Sequence, residues 1–294
     1  MAPTSKKLAR MTAVHGARKL TLHHLKRAAA TVERLDDSRD TEALHDLRVE
    51  LRHVRTYLRT YRKLFAGAVS AKSIEALRGF AHLTNPARDA EVHAAWLTQQ
   101  SRARRSRSGA ASRLRSNLTQ HHAEHLQEIR ERFTQDFPRL AHRLRRQVKR
   151  AKAPGKGRFG KYTAQKLRRL GQRLRQRLDR IQGPSDVERC HEARITAKRA
   201  RYLLEPFEEL HGAPKLLERL KALQDTLGDM HDLHVLTETL HGRSPELNSL
   251  ASKAGRQLSS LYRQLQRRGF GKAGAQLDEA IAEGASTLRK AAKP

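Results

Sequence analysis

From Asp40 to Phe65 the apolar residues Leu44, Leu47, Leu51, Val54 and Leu58 recur at steps of three, four, three and four. That spacing lines one face of an α-helix, and Asp40 stands where an N-cap is needed. Leu167, Leu170, Leu174, Leu178 and Ile181 repeat the rhythm far downstream. No segment alternates apolar and polar residues as a half-buried strand does. The pattern therefore predicts an all-α protein.

The predicted helices begin with one over residues 6–36 and a second over 40–65. A third region starts near Val69, pauses at Thr84 and restarts at Asn85-Pro86, a cap followed by proline at the first helical position. Residues 101–109 (SRARRSRSG) read as a connecting loop. Helices are then expected over 110–135 and from Pro138 to about Lys152. The 151–160 segment (AKAPGKGRFG) is the clearest linker. Beyond it Gly183-Pro184 ends one helix, and Ser185 with Glu188 reads as a capping box for the next. Pro214 opens another helix, Gly228 is expected to interrupt it, and Ser244-Pro245 opens the last region.

The chain repeats itself. His45, Arg48, Val49, Arg52, Arg55 and Leu58 match His191, Arg194, Ile195, Lys198, Arg201 and Leu204 without a gap, at an offset of 146 residues. Asp89 and Val92 match Asp232 and Val235 at an offset of 143. Such self-similarity marks two copies of one helical unit. His45, Arg48, Arg52, Arg55 and Arg59 form a row beside the leucine stripe, about 100° round the helix. One edge of the helix can enter a core while the next holds cations over about 21 Å. A single row of arginines is ordinarily a solvated face. Its recurrence with histidine at the same end argues for binding a repetitive anion through charge-assisted bonds.

Charge points the same way. The net charge is +31, a self-repulsion that a polyanion relieves. Met1–Arg10 is basic but lacks the apolar run of a secretory signal, and no apolar stretch reaches membrane-spanning length. A cytoplasmic protein without membrane insertion is expected. The lone Cys190 permits no intrachain disulfide. Next to His191 it makes no catalytic pair, because adjacent helical positions diverge by about 100°. His231 with His234, and His121 with His122 and His125, have ligand-like spacing. They lack a partner motif, so no metal is expected. Asp89 and Asp232 read as caps or ion-pair partners. The sequence offers no phosphate-binding glycine loop and no acidic cluster for Mg²⁺, so catalysis and cofactors are not expected.

At these residues the sequence resembles the CHAD family, the conserved-histidine α-helical domain. The resemblance rests on HDLRVELRHVRTYL (45–58), HEARITAKRARYLLEPF (191–207), LQDTLGDMHDLHVL (223–236) and NPARDAEV (85–92). It covers nearly the whole chain, which reads as a stand-alone member, with halves at 1–150 and 151–294. It implies two pseudo-symmetric antiparallel four-helix bundles whose basic faces line a central channel. It also implies binding of inorganic polyphosphate and location at polyphosphate granules. By the resemblance, His45, Arg48, Arg52 and Arg55 carry over to the binding surface, with His191, Arg194, Lys198, Arg199 and Arg201. Position 53 is histidine where the second copy has Arg199. Lys19, Lys26, Lys166, Arg169 and Arg173 are secondary candidates from charge spacing on the opening helix of each half. The row side chains are expected to face solvent. The competing reading is an architectural nucleic-acid-binding protein, supported by charge but not by stacking aromatics, which make up only 4% of residues. A polyphosphate-cleaving enzyme is disfavoured for want of metal-binding acids.

Overall fold

The computed structural model describes residues 4–37, 39–104, 109–152, 157–269 and 271–293. In chain order the helices are α1 (Ser5–Arg10), α2 (Ala13–Arg34), α3 (Ala43–Thr60), α4 (Ala71–Leu83), α5 (Asn85–Arg104) and α6 (Gly109–Arg150). They continue with α7 (Phe159–Asp179), α8 (Val187–Leu204), α9 (Ala213–Leu240), α10 (Pro245–Gly269) and α11 (Gly271–Ala291). Short 3-10 turns follow α3 and α8. Among the described residues no strand forms. One isolated antiparallel bridge joins Thr12 to Arg158.

The chain divides into two compact units. The His45 unit comprises Met11–Ala94 and Asn117–Phe159; the His191 unit comprises Met1–Arg10, Ala95–Ser116 and Gly160–Pro294. The units therefore do not follow a contiguous division near residue 150. Helices α5 and α6 each contribute to both, and α6, at 42 residues, is about 63 Å long, twice the span of a small domain.

In the His45 unit α2 packs along α3, and α3 along α4. The predicted stripe is the buried face of α3: Leu44, Leu47, Leu51, Val54 and Leu58 are all in the core. In the His191 unit α8 packs on α9, α9 on α10 and α11, and α1 on α11 and the 205–207 turn. Leu167, Leu174, Leu178 and Ile181 are buried there, with Leu170 half-exposed.

Several element boundaries differ from the sequence reading, each for a tertiary reason. The first helix is broken at Met11–Thr12, where Ala13 N–H donates to Gly157 O (2.8 Å) and Phe159 N–H to Met11 O (2.8 Å). Pro138 opens no new helix and lies inside α6. An interior proline costs about 3 kcal/mol. The stripe Ile129, Phe133, Phe137, Leu140 and Leu144 is buried on both sides of it, and Phe80 packs edge-on against Phe133 and Phe137 at 4.8 and 5.4 Å. That burial holds the helix through the proline. Gly228 likewise does not interrupt α9. Residues 101–104 belong to α5, whereas 105–108 of the expected loop lie outside the described residues. Helix α8 is capped at Asp186 and not Ser185; the Asp186 carboxylate accepts from Gln182 N–H (3.1 Å) and the Arg189 side chain (2.9 Å) instead of from a backbone N–H of the first turn.

One side chain of the basic row proves to be part of the fold. Arg48 is 8% exposed, so the expectation that the whole row faces solvent fails here. Its Nη1 donates to the carbonyl of Thr84 and to Thr84 Oγ1, the latter at 2.7 Å. Thr84 is the C-cap of α4 and immediately precedes α5. The arginine thus satisfies a backbone carbonyl that a helix end leaves open, together with the threonine hydroxyl beside it. We expect Arg48→Ala to lower stability by about 1–3 kcal/mol, the penalty for unsatisfying a buried acceptor. Leu47→Ala and Leu51→Ala, at 0% and 1% exposed, should each cost about 2–5 kcal/mol. Arg59→Ala, on an exposed turn of the same helix, should stay within about 0.5 kcal/mol. Urea denaturation of the four variants checks the order.

Candidate anion-binding site

The two basic rows sit on α3 and α8, the helices that carry the repeat. Their local origin is the heptad-like alternation that sends leucine or alanine to the core and the neighbouring position to the rim. On α3, His45 and Arg59 are exposed and Arg52 and Arg55 half-buried, with Arg48 buried between them. Burial, and then the charges of Arg78, Arg52 and Arg59, pushes the Arg55 pKa down. Burial first, and Arg52 next, lowers Arg48 to about 10, against the pull of Asp89. These directions report cations held close together at the edge of a core, where their repulsion is poorly screened.

On α8, His191 is exposed, and Arg194, Lys198, Arg199 and Arg201 are half-buried. Helix α9 supplies the facing group: the rings of His191 and His231 lie 5.6 Å apart. Burial, followed by Arg194 and Lys198, lowers the pKa of His191; burial and then Arg194 lowers that of His231. Arg194 reaches α9 beside Gly228, where a Cβ would lie at ordinary contact distance, 3.6 Å, from its Nε. Acidic groups border it on α9. The Asp229 pKa is raised by burial and by Asp232 and Asp225, and lowered by Arg194. Each row thus has an acid beside it, Asp89 acting on Arg48 and Asp229 on Arg194, although the residue that matches Asp89 in the repeat is Asp232. Asp232 is not a cap, because α9 runs through it.

The other predicted residues fall into two groups. Arg201 turns along its own helix, with Nε 3.3 Å from Glu205 and its guanidinium over the Tyr202 ring at 5.0 Å. Lys166 lies over the Tyr162 ring at 5.1 Å. Lys19 is half-buried on α2, Lys26 exposed there, and Arg169 and Arg173 exposed on α7. His53 is buried and packs against α2 through His24, away from the row. Sequence reasoning passed over Arg78 and Arg88, whose charges act on Arg55 and Arg48, and weighed His231 only for metal-like spacing and not for its place beside the row. Arg88 and His231 immediately precede the matched Asp89 and Asp232, so the 143-residue offset held a usable signal for both.

The cysteine and several histidines outside the two rows are buried or paired locally. Cys190 is buried, and burial raises its thiol pKa to about 11, which keeps it from being a thiolate nucleophile. His234 pairs with Glu238 (3.2 Å), and His121 and His125 make i,i+3 pairs with Glu124 and Glu128. His122 bonds the Ala87 carbonyl at 2.9 Å. No helix among the described residues is long and apolar enough to cross a membrane.

Comparison with known proteins bears on the fold and the family. Among solved structures, the CHAD domain from the plant Ricinus communis superposes with a TM-score of 0.70 at 22% identity, covering 98% of this chain and 95% of that one. PptA from Streptomyces chartreusis superposes at 0.62 with 12% identity, covering 96% and 99%. No curated protein sequence matches the chain. The CHAD domain family model matches residues 19–241, a span that takes in both basic rows, both facing acids and most of the chain; the protein belongs to the CHAD domain family.

Proposed function

We propose that this protein binds inorganic polyphosphate along the α3 and α8 rows, without chemically altering it, and that this binding brings it to polyphosphate granules. The observation that carries the reading is the duplicated row of half-buried, mutually repelling cations at the rim of a helical core. A chain of closely spaced phosphates offsets that repulsion and offers each guanidinium a pair of oxygens. CHAD domains are associated with polyphosphate-related proteins, which favours this polyanion over nucleic acid. His191 and His231 add donors whose charge an anion can recruit.

Long-chain polyphosphate should bind in preference to duplex DNA in direct competition, and be recovered at unchanged length. Its affinity should fall roughly 10³-fold between 50 and 200 mM salt if about six phosphates are neutralised, by analogy with DNA. A flat salt response, or DNA winning the competition, would refute the reading.

Charge removal should separate binding from folding once Arg48 is left in place. Arg52→Ala, Arg55→Ala and Lys198→Ala, combined, should weaken binding by about 1.5–3 kcal/mol per lost charge-assisted bond, less than additively, with helicity by circular dichroism retained. A triple variant that binds as the parent does removes these residues from the site.

The lowered histidines set a pH dependence of opposite sign for the two states. Without anion, the unfolded chain takes up protons more readily than the folded one below about pH 6.5, so His191 and His231 reduce stability as pH falls through that range. Bound phosphate favours the protonated rings, so affinity should rise over the same descent. Titrations at pH 7.5 and 6.0 on the parent and on His191→Gln with His231→Gln check this; the difference should vanish in the variant.

A further inference from the structure

Away from the basic row, on the other edge of α3, lies a cluster that the anion-binding reading does not use. His24 of α2 and Glu50 and His53 of α3 place one ligand-type atom each within 4.8 Å of one another. Glu50 and His53 are buried and His24 is half-buried. Glu50 Oε2 stands 2.6 Å from His24 Nδ1. The two imidazole rings stack 4.2 Å apart, nearly parallel at 5°, and Tyr57 borders both at 5.5 and 5.9 Å.

We propose that His24, Glu50 and His53 form a site for one divalent first-row transition ion of the zinc class. Two groups around the cluster already fix the orientation of two of the three ligands, His53 and Glu50. The His53 Nδ1–H donates to the Val49 carbonyl at 2.9 Å, which leaves the lone pair on Nε2. Arg27 Nε donates to Glu50 Oε1 at 2.7 Å and leaves Oε2 turned toward the histidines. Ligating histidines and carboxylates characteristically have their second atom tied down in this manner.

The distances suit a small ion. Ligand atoms about 2.0–2.2 Å from a tetrahedral zinc lie roughly 3.3 Å from each other, so the widest gap must close by about 1.5 Å. Tilting the stacked rings apart, so that their lone pairs converge, supplies that movement. Two imidazoles and one carboxylate match zinc, nickel and copper. They do not match calcium, which takes six to eight oxygen ligands, or magnesium, which keeps an all-oxygen octahedron. In a chain of net charge +31 a weakly held hard cation would also be repelled, whereas strong nitrogen coordination competes with that repulsion. Three protein ligands leave a fourth position for water or an anion oxygen.

A purely structural role explains the cluster less well. At the 146-residue offset, His24, Glu50 and His53 correspond to Leu170, Thr196 and Arg199. There Arg177 bonds Thr196 Oγ1 and pairs with Glu192, joining α7 to α8 without any such cluster. The helix pair therefore forms in both copies, and the histidine–carboxylate group is a property of the first alone.

The test uses the full chain, stripped with a chelator and kept free of phosphate and polyphosphate, with Co²⁺ as the probe. One Co²⁺ per chain should give visible ligand-field bands, and one equivalent of Zn²⁺ should abolish them. His24→Leu and His53→Arg, each introducing the residue of the second copy, should lose affinity at least a hundredfold while keeping parental helicity. Arg27→Ala, which leaves all three ligands intact, should weaken binding about 10–100-fold. Zn²⁺ should raise the melting temperature of the parent and not of the His24 and His53 variants. Absence of bands in the parent overturns the proposal. So do folded His24→Leu and His53→Arg variants that bind as the parent does. Should those two fail to fold, Glu50→Gln decides in their place, with parental affinity overturning the site.

Discussion

The structure depends on keeping like charges together at the edge of an apolar core. On α3 the leucine stripe and the arginine row are adjacent round the helix, so burying one draws the other partly out of water. A cation in that position must find acceptors or destabilise the core it borders. Arg48 finds them in Thr84, at the junction of α4 and α5. In doing so it ties the row to the helix that carries Asp89, whose charge partly offsets that of the row. The positions farther along, Arg52 and Arg55, keep partial exposure.

The second copy reaches the same end with different residues. Alanines at 193, 197 and 200 take the buried positions on α8, and α9 packs closely against it. Arg194 lies near the bare backbone of Gly228, and His231 faces His191. Lys198 stands where the first copy has Arg52, and His231 on α9 stands where it has Arg88, which keeps the cluster cationic while making part of it responsive to pH. The duplication therefore conserves a charge pattern, while the packing that supports it and the acid beside it have diverged.

The copies differ most on the flank that faces α2 and α7. In the first, a carboxylate is enclosed by two histidines and an arginine. In the second, a threonine hydroxyl and a surface glutamate answer an arginine. A duplicated fold can keep one face constant for a shared ligand and let the other vary, because the two faces of a helix answer to separate neighbours. This asymmetry is why the second copy serves as an internal comparison for residues of the first.

The sequence by itself determined what is periodic. The leucines of α3, the repeat at 146 residues and the row from His45 to Arg59 were all legible, because helical spacing converts directly into a shared face. Breaks in that periodicity were not. Pro138 and Gly228 are local helix breakers by propensity, yet Phe80 against Phe133 and Phe137, and α8 against α9, stabilise the helices through them by more than the local cost. The burial of Arg48 was equally hidden, since a helical wheel cannot tell a rim open to water from one closed by Thr84 of the next helix. His24 and Glu50 are 26 residues apart, and only the packing of α2 along α3 brings them together. Contacts between elements have no period in the chain, so they belong to the tertiary structure.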